Sequence, residues 1–320
     1  MKQSYTLIYL LAMPALIFLP ACSIKKLAMN QVANALTTPT SSSVFSGDND
    51  PELVGDALPF AIKLYESLMA ANPDHSGLKL TTGSLYIMYA NAFLQTPALM
   101  LPDSEFEAQE FNYNRAKNLY LRGRDIVLSA LEGKYPGFKQ YLQKKMYARA
   151  LQSTNKKDIP LLYWAGAGWL AAYAINPFDM ELGITLPAAE ALMNRVYELE
   201  ENYAGGTIHE FYILYYGSLP EYMGGSLQKA RHHFEKAIAI SAGKSSTPYI
   251  ALATTASVKD QNLDEFRSLL AKALAIDPDI DPENRLVNIL NQRKARWLIQ
   301  NAGDFFPEAE DGNSGNEESE

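Results

Sequence analysis

The sequence is poor in thiols and in basic charge. It contains one cysteine, Cys22, in 320 residues. An intramolecular disulfide needs two cysteines, and zinc ribbons and iron–sulfur clusters need several thiolates, so these sites are excluded. Lysine and arginine number 28 against 36 aspartate and glutamate residues, which gives a formal net charge of −8. This acidic balance argues against a general nucleic-acid-binding protein.

The negative charge is concentrated at the C-terminus. Residues 308–320 hold six acids and no base, and residues 1–21 hold one charged side chain, Lys2. Residues 22–307 therefore carry a net charge of only −3. A polar, acidic segment without an apolar cluster cannot offset its ordering entropy. We therefore predict that residues 308–320 form a disordered acidic tail.

The N-terminus is typical of a bacterial lipoprotein signal. Residues 5–19 are almost wholly apolar, but this run is too short to span a bilayer comfortably and contains Pro14. The run ends in Leu-Pro-Ala-Cys, with a small residue directly before the single cysteine, which is the pattern of a lipobox. We predict a signal peptide over residues 1–21 and lipidation of Cys22, whose acyl chains would anchor the protein. An ordinary signal peptide followed by a free thiol is the alternative.

The residues after the cysteine predict location and a tether. Position +2 is Ser23 and not aspartate. The sorting rule of Gram-negative bacteria then predicts an outer-membrane lipoprotein that faces the periplasm, an oxidising compartment that suits a chain without further cysteines. We predict that residues 22–55 form the lipidated N-terminus and tether. Within them we expect a short helix over Ile24–Leu36 and a loop over the Ser/Thr/Pro-rich residues 37–51.

The body of the chain has the pattern of a helical protein. From Asp56 to about Phe306 it is dense in Ala, Leu and Tyr at helical spacing, and no sustained period-two alternation occurs. A helical-hairpin repeat, the tetratricopeptide, fits this region. We predict an all-α domain over residues 56–307, in which about four degenerate tetratricopeptide-like hairpins form a short solenoid after a half repeat. A generic Ala-rich helical bundle is the alternative.

The repeat assignment depends on small and large residues at fixed spacing. First helices should carry glycine or a small residue at one crossing position, which we place at Gly83, Gly168, Gly217 and Thr254. Two hairpins would be stretched by insertions, and a C-terminal helix from Pro282 to Trp297 would cap the solenoid. The insertions are residues 96–112 and the loop around Pro177–Pro187. The second-helix pattern fits Ala61/Tyr65/Leu68/Pro73 and Phe266/Leu270/Ala273/Pro278, and it fits Ala230/Phe234/Ala237 without the proline. Two further segments fit loosely, Ala116/Tyr120/Gly123 and Ala189/Met193/Val196.

Two stretches carry a family resemblance. They are YWAGAGWLAAYAINP at residues 163–177 and FYILYYGSLPEYMGGSLQKARHHFEKAI at residues 211–238. With the lipobox and the repeats, they make the chain resemble, from about residue 10 to residue 300, the T component of tripartite ATP-independent periplasmic (TRAP) transporters. This is a family of tetratricopeptide lipoproteins. The resemblance implies a homotrimer, a pocket in each protomer, and the transporter's periplasmic solute-binding protein as partner.

The sequence predicts no catalytic centre, cofactor or metal. A dinucleotide-like G-x-G-x-x-A stretch lies inside a helical pattern without a βαβ unit, so tight helix crossing explains it better. A calcium-like aspartate run lacks the loop's glycine and its final glutamate. The histidines do not have the spacing of zinc ligands, and an envelope enzyme such as a glycosidase is the least favoured class. These fragments are Gly166–Ala171, Asp277/Asp279/Asp281 and His209, His232 and His233.

The aromatic residues give the clearest signal for binding. The chain has 19 tyrosines, and rings cluster in three predicted first helices. Tyrosine and tryptophan combine a large contact area with a polar group, as binding pockets require, although repeat packing also uses such rings. With Gly83, Gly168 and Gly217 as anchors, we predict a concave groove for an apolar ligand or peptide. The predicted ligand-binding residues are Ser84, Met88, Asn91, Trp169, Tyr173, Phe211, Leu214, Tyr215 and Ser218.

Two functions of different class follow from these observations. The first is a lipid-anchored periplasmic tetratricopeptide protein that binds the solute-binding protein of a TRAP transporter and a small hydrophobic or organic-acid ligand, and so assists solute uptake. The second is an outer-membrane lipoprotein scaffold or assembly factor that binds peptide segments of envelope proteins. In both, the lipid anchor alone would contact the membrane and nucleic acid would play no part. Adjacent transporter genes would favour the first.

Overall fold

The protein is helical throughout the part of the chain that the structure describes. A computed structural model describes the backbone of residues 21–307, and the side chains of these residues except 21–28 and 39–42. The predicted acidic tail and all but the last residue of the predicted signal peptide lie outside the described residues. No strand occurs in residues 21–307, which confirms the prediction of an all-α fold.

Fourteen α-helices of five residues or more make up the described part of the chain. None of them is both long enough and apolar enough to cross a membrane. Helices α4 and α12 each run on into a π-helical turn, at Asn91–Gln95 and Ala253–Ser257. The helices are α1 (Ala21–Leu36), α2 (Pro39–Ser46), α3 (Pro51–Ala71), α4 (Ser76–Ala90), α5 (Phe106–Lys134), α6 (Phe138–Gln143), α7 (Tyr147–Leu151), α8 (Ile159–Ile175), α9 (Met180–Leu199), α10 (Thr207–Ser218), α11 (Leu227–Ser241), α12 (Thr247–Leu252), α13 (Leu263–Leu274) and α14 (Arg285–Gln300).

Eight of these helices pair into four hairpins. Helix α4 packs against α5, α8 against α9, α10 against α11, and α12 against α13. The first helix of each later hairpin also contacts both helices of the hairpin before it. Helix α3 packs on α4 ahead of the first hairpin, and α14 packs on α13 behind the last. The hairpins therefore follow one another in space in the order of the chain.

Two glycines bring the helices of the first hairpin close together. A Cβ atom at Gly83 would lie 2.7 Å from the carbonyl oxygen of Gly123, and one at Gly123 would lie 2.6 Å from that of Gly83. Side chains do not make contacts this short, so the crossing of α4 and α5 requires glycine on both sides. Ala116 and Tyr120 on α5 are fully buried beside this crossing. The loosely matching repeat segment of α5 is thus a packed hairpin helix.

The last helix contacts the first elements of the chain and closes the molecule. The Arg285 guanidinium donates through Nη1 to the carbonyl oxygen of Gly47 over 2.9 Å, and Arg293 forms an ion pair with Glu52. Leu286 shares an apolar cluster with Val54 of α3. Since α14 also contacts α12 and α13, the contacts run from α3 through the four hairpins to α14 and back to α3. The first helices of the hairpins therefore surround an enclosed inner side.

Three segments differ from the sequence predictions. Residues 37–51 were predicted as a loop, but α2 occupies Pro39–Ser46, and α3 begins at Pro51, where proline suits the first turn. Pro187 lies inside α9 and not in a loop, about two turns after the helix start at Asp179, whose carboxylate accepts from the backbone N–H of Leu182. The long connection lies elsewhere, between α5 and α8, where residues 135–158 include α6 and α7.

Contacts between neighbouring connections define two ends of the hairpin stack. We call the end at which α4, α8 and α10 begin the lower end, and the opposite one the upper end. At the lower end, Arg195 Nη2 of α9 donates over 2.8 Å to the carbonyl oxygen of Thr154 in the α5–α8 connection. At the upper end, the Lys117 ammonium lies 2.6 Å from the Asp179 carboxylate. Successive hairpins are therefore aligned side by side without a large axial shift.

Candidate binding face

The first helices expose a polar and aromatic stripe towards the enclosed side. In α8, Gly166 packs on Met193 of α9 and Gly168 on Ile87 of α4, and both glycines are buried. The residues between these two contact faces are half-buried and lie within about 100° of the helix circumference, as the 3.6-residue period requires. We call these positions, with the corresponding ones of α10 and α14, the inner face. They are Pro160, Tyr163, Trp164, Ala167, Ala171, Thr207, Glu210, Leu214, Ser218, Asn291 and Lys294.

Three aromatic rings meet on the inner face. The Tyr163 ring centroid lies 5.5 Å from that of Trp164 and 5.6 Å from that of Tyr203, which precedes α10. Burial, the neighbouring Glu210 carboxylate and Tyr203 together raise the pKa of the Tyr163 hydroxyl. The rings offer apolar area with hydroxyl groups at its edge, an arrangement suited to a ligand with a hydrophobic body.

Glu210 is a half-buried acid beside these rings. Ser245 Oγ donates to Glu210 Oε1 over 2.9 Å, and burial raises the pKa of this carboxyl group to about 7. Burial acts in this direction because it disfavours the charged form, and the serine hydroxyl offsets it only in part. Near neutral pH the group therefore exchanges between a neutral donor and a charged acceptor.

Hydrogen bonds connect Glu210 to the last helix. Next to Ser245, the Ser246 hydroxyl lies 3.0 Å from Asn291 Nδ2 of α14, which also lies 3.1 Å from Thr247 Oγ1. Asn288, one turn earlier, accepts from the backbone N–H and the hydroxyl of Ser246. This network holds α14 against the start of α12 and determines which side chains of α14 point inward.

Lys294 is one of these inward side chains. It follows Asn291 by three residues and therefore lies on the same side of α14, opposite the exposed Arg296. Its ammonium group forms no hydrogen bond or ion pair with the residues that the structure describes, and burial lowers its pKa. A half-buried cation without a partner carries a desolvation cost, which a nearby anionic group would offset.

Four of the sequence-predicted ligand-binding residues lie in the core and not on the inner face. Trp169 and Tyr173 of α8 are 7% and 5% exposed, and Trp169 Nε1 donates to Thr185 Oγ1 of α9 over 2.9 Å. Phe211 and Tyr215 of α10 are equally buried and stack on one another with ring centroids 5.7 Å apart. In the isolated chain these rings pack between helices and not in an open groove. Their part in ligand binding stays a prediction.

The other predicted residues are accessible to different degrees. Leu214 and Ser218 are exposed on the inner face of α10, and Met88 is half-buried on α4. Asn91 is exposed in the π-helical turn that extends α4. Ser84 is buried, and its hydroxyl donates to the carbonyl oxygen of Thr81 over 3.0 Å. Leu214 and Ser218 thus join the inner face, whereas Ser84 already has a partner. Ligand binding at these positions stays a prediction.

A register shift of two residues explains the misplacement in α8. The sequence assignment took Gly168 as the hairpin crossing, but Gly166 is the glycine that meets α9, with Met193 atoms 3.0 Å from its ideal Cβ position. Two residues correspond to a rotation of about 200° in an α-helix, which exchanges the inner side for the packed side. When the repeat assignment is shifted by two residues towards the N-terminus, the inward position predicted for Trp169 falls on Ala167. Trp164, one turn earlier, then lies on the inner face as well.

A histidine pair was missed by sequence reasoning. His209 Nδ1 of α10 lies 2.8 Å from His233 Nδ1 of α11, and the His233 ring stacks on Tyr212 with centroids 4.6 Å apart. Burial lowers the pKa of both imidazoles, that of His233 to about 4. Only the hairpin pairing brings residues 24 positions apart together, so the sequence alone offers no signal. Among the described residues, no group of three or more His, Cys, Asp or Glu side chains could hold a metal ion.

Two surface clefts lie outside the inner face. One of about 450 Å³ is lined by Asn30 and Asn34 of α1 together with Asn72 and His75, and these side chains already bond to one another. The other, of about 270 Å³, is lined by residues of the α5–α8 connection, among them Tyr135, Tyr141 and Arg149. Neither cleft includes a sequence-predicted ligand-binding residue.

Comparison with known proteins identifies relatives over most of the chain. A family model described as "TRAP transporter T-component" matches residues 47–306. A protein of Treponema pallidum (strain Nichols), described as an uncharacterized protein, is 36% identical over 321 residues, and the match covers 96% of this chain and 99% of the relative. The matched range begins in the α2–α3 connection and ends after α14. It therefore includes all four hairpins and the inner face.

Proposed function

The chain belongs to the TRAP transporter T-component family, and we propose that it is a lipid-anchored periplasmic protein that binds the transporter's solute-binding protein and a small hydrophobic organic acid. In this role it would assist solute uptake and leave the energy-coupled step to the membrane subunits. The observation that carries the ligand proposal is the inner face, which includes the aromatic rings of α8, the protonatable acid of α10 and the unpartnered lysine of α14.

We propose further that the four hairpins are degenerate tetratricopeptide repeats in a short, closed solenoid. The sequential packing of each hairpin on the one before it supports this, as does the buried small residue at the α4–α5 and α8–α9 crossings. Repeat solenoids bind partners on the surface that their first helices line. The inner face is such a surface.

The chemistry of the inner face suits an amphiphilic carboxylic acid. An apolar chain would pack on Tyr163, Trp164 and Leu214, and its carboxylate would pair with Lys294. Apolar area contributes roughly 25 cal/mol per Å² before the cost of association. Glu210 in its neutral form would donate to the ligand, whereas in its charged form it would repel the carboxylate. Binding should therefore weaken as the pH rises above about 7.

Calorimetry with decanoate and decanol as probes tests this ligand site. Decanoate should bind more tightly than decanol, and Lys294→Gln should weaken decanoate binding about tenfold with little effect on decanol. Arg296→Gln, an exposed position on the opposite side of α14, is the matched control and should bind like the wild type. Equal loss of both probes in Lys294→Gln would indicate a folding defect, and no loss would remove Lys294 from the site.

The upper end offers an apolar surface for the solute-binding protein. Phe178 is 91% and Tyr222 86% exposed, and Met180 and Ile184 are exposed one turn apart on α9. Aromatic residues and methionine are enriched at protein interfaces. Capture of the purified solute-binding protein should fall at least tenfold in Phe178→Ser/Tyr222→Ser, whereas Phe60→Ser on α3 should leave it unchanged. Capture of envelope-protein peptides in place of the solute-binding protein would favour the scaffold function.

We also propose self-association, most simply as a homotrimer, through the exposed face of α3. Leu53, Phe60 and Leu64 lie along one side of this helix and are exposed. Sedimentation of the unlipidated protein at tens of micromolar tests the proposal. Phe60→Ser should shift the distribution towards the monomer, and a monomeric wild type would rule the assembly out.

Cys22 would be the membrane anchor, and its side chain lies outside the described part of the structure. Wild-type protein should label with radioactive palmitate and sediment with the outer membrane. Cys22→Ser should do neither. Labelling that persists in Cys22→Ser would place the lipid elsewhere and remove the anchor from the proposal.

A further inference from the structure

The connection between α5 and α8 is strongly basic in an otherwise acidic protein. Residues 133–157 contain seven lysine and arginine residues and no aspartate or glutamate, although the whole chain has a net charge of −8. We call this range the basic segment. It includes α6, α7 and the lining of the 270 Å³ cleft. Its basic residues are Lys134, Lys139, Lys144, Lys145, Arg149, Lys156 and Lys157.

Five of these seven cations form no ion pair with an acidic side chain of the described residues, although Lys139 lies close enough to Glu132 to lower the pKa of that carboxyl group. Lys134 pairs with the buried Asp158, and Lys156 lies 3.9 Å from Glu200. The other five form no ion pair with the residues that the structure describes. Glu132, the remaining acid at the border, is already held by the backbone N–H groups of Gly137 and Lys139, each at 2.8 Å. The segment therefore presents a positive surface to its surroundings.

Amphipathic side chains accompany this charge. Met146 is 40% exposed, and Tyr141 and Tyr147 are half-buried beside it. The Arg149 guanidinium lies over the Tyr141 ring at 4.6 Å from its centroid. Lysine and arginine interleaved with tyrosine and methionine are typical of surfaces that meet the headgroup region of a bilayer.

Cys22 lies at the same end of the molecule as the basic segment. The second half of α1 contacts the turn between α3 and α4, where Asn34 Oδ1 lies 3.0 Å from Nε2 of His75, the residue that caps α4. Since α1 begins at Ala21, Cys22 is at most about 12 Å along its axis from Asn30. At the start of α4, Lys79 Nζ donates to the carbonyl oxygen of Ser129, one turn before the basic segment.

From this placement, and on the premise of the proposed lipid anchor, we propose that the basic segment faces the membrane that holds Cys22 and binds its anionic lipid headgroups. Lys25 and Lys26, three and four residues after the cysteine, add positive charge close to the anchor in the sequence. The connection between α13 and α14 carries acids instead, so the attraction is confined to the side of α1 and the first two hairpins. The inner face and the apolar upper end then remain free for ligand and partner.

Vesicle binding of the unlipidated mature chain, residues 23–320, tests the proposal without the anchor. It should sediment with phosphatidylcholine vesicles that contain 30 mol% phosphatidylglycerol, bind pure phosphatidylcholine vesicles far less, and dissociate as salt is added. Each lysine near an anionic surface contributes about a fivefold gain, so Lys144→Gln/Lys145→Gln/Lys157→Gln should lower the partition coefficient about 100-fold.

The matched control removes the same charge from the far side of the molecule. Arg267, Lys272 and Arg296 are exposed on α13 and α14, and their triple glutamine variant should bind vesicles like the wild type. Equal loss in both variants would reduce the effect to net charge and overturn the proposal. Wild-type protein that does not prefer anionic vesicles would overturn it as well. The proposal would also be overturned if the Lys144/Lys145/Lys157 variant bound vesicles normally but no longer captured the solute-binding protein. The basic segment would then bind an acidic protein surface and not lipid.

Orientation on the membrane is a second measurement, made with the lipidated full chain. Because Cys22 is the only cysteine and would be blocked by lipid, Lys144→Cys and Lys272→Cys each provide one labelling site. Energy transfer to an acceptor lipid should be stronger from position 144 than from position 272. The reverse order would overturn the proposal. Absence of palmitate label at Cys22 would instead defeat the proposed anchor, and the vesicle result would stand on its own.

Discussion

Glu210 links the pH to the stability of the inner face. Its folded-state pKa of about 7 is raised above the value of 4.5 for an exposed glutamate, so the folded protein binds the additional proton between these values. Its contribution is fully present below pH 4.5 and is lost as the pH rises through 7. We expect Glu210→Gln, which stays neutral, to exceed the wild type by roughly 1–3 kcal/mol at pH 8 and to match it near pH 4.5. Urea unfolding at both pH values measures this. A constant difference between the two proteins would mean that Glu210 does not titrate as described.

His233 should act in the opposite direction. Burial first, and then the neighbouring His209, depress its pKa from 6.5 to about 4, so the unfolded chain binds more protons between these values. Stability should therefore fall as the pH drops from 6.5 to 4. Smaller effects on the His233 pKa come from His232 and Lys229, which lower it, and from Glu201, which raises it.

The variant His233→Phe tests this prediction because it keeps a ring against Tyr212. It should show a flatter dependence of the thermal midpoint on pH between 6.5 and 4 than the wild type. His232→Phe, at the adjacent exposed position, removes only a smaller contribution to the lowered His233 pKa and should change the slope less than His233→Phe does. An unchanged slope in His233→Phe would place the acid sensitivity in other groups.

Alanine variants of Trp169 and Trp164 should distinguish a role in helix packing from a role in ligand binding. Trp169 is buried against α9 and lies under the Arg124 guanidinium at 4.6 Å, whereas Trp164 is half-buried on the inner face. Trp169→Ala should cost about 3–5 kcal/mol of unfolding free energy, and Trp164→Ala clearly less. Trp164→Ala should weaken decanoate binding more than Trp169→Ala does. Lost affinity in a stable Trp169→Ala protein would return that ring to the ligand site.

At the scale of elements, the approach of α4 and α5 depends on glycine. Gly123→Ala would place a Cβ 2.6 Å from the Gly83 carbonyl oxygen and 2.8 Å from Ile87, so the helices must separate, at a cost of about 1–3 kcal/mol. Gly133→Ala on the same helix meets nothing within 4 Å and should stabilise the protein by about 0.5–1 kcal/mol. Thermal unfolding of both variants decides the matter. Equal stabilisation of both would mean that the crossing is looser than described.

Element boundaries followed from local signals where those signals were strong. Helices α8 (Ile159–Ile175) and α10 (Thr207–Ser218) begin where the local signals indicate, because a proline lies in the first turn of α8 and a glycine turn precedes α10. The predicted C-terminal helix begins at Arg285, after a 3₁₀ turn over Pro282–Asn284. Helix α2 was missed because its serine and threonine residues favour turns locally.

At the scale of the whole molecule, the acidic tail should contribute nothing to the fold. The described structure ends at residue 307, where Phe306 packs fully buried against Phe266 of α13. Deleting residues 308–320 should therefore leave the thermal midpoint within a degree or two of the wild type. Truncation after residue 304, which also removes Phe306, is the contrasting variant and should lower the midpoint. A drop of more than a few degrees for the shorter deletion would show that the tail packs on the body.

The helical class, the hairpin order and the family could be argued from the sequence, because periodicity, small residues and signal motifs are local patterns. The repeat residues of α9 and α13, Ala189, Met193, Phe266 and Leu270 among them, are fully buried as their spacing indicates. Which face of each first helix points inward could not be read in this way. Two candidate glycines in α8 differ by about 200° of rotation, and only contact with the neighbouring helix distinguishes them.

Tertiary structure alone decided the features that depend on residues far apart in the chain. One such feature is the closure of α14 on α3, in which Arg293 pairs with Glu52, 241 residues earlier. Another is the His209–His233 pair, whose members are 24 residues apart. A third is the placement of Lys294 and Glu210, which lie on separate helices, on one inner face. Local sequence determines how a helix begins, which residues are apolar and where charge accumulates. The partners of each side chain come from packing, because burial of the apolar faces selects one arrangement of helices among the many that the same local pattern allows.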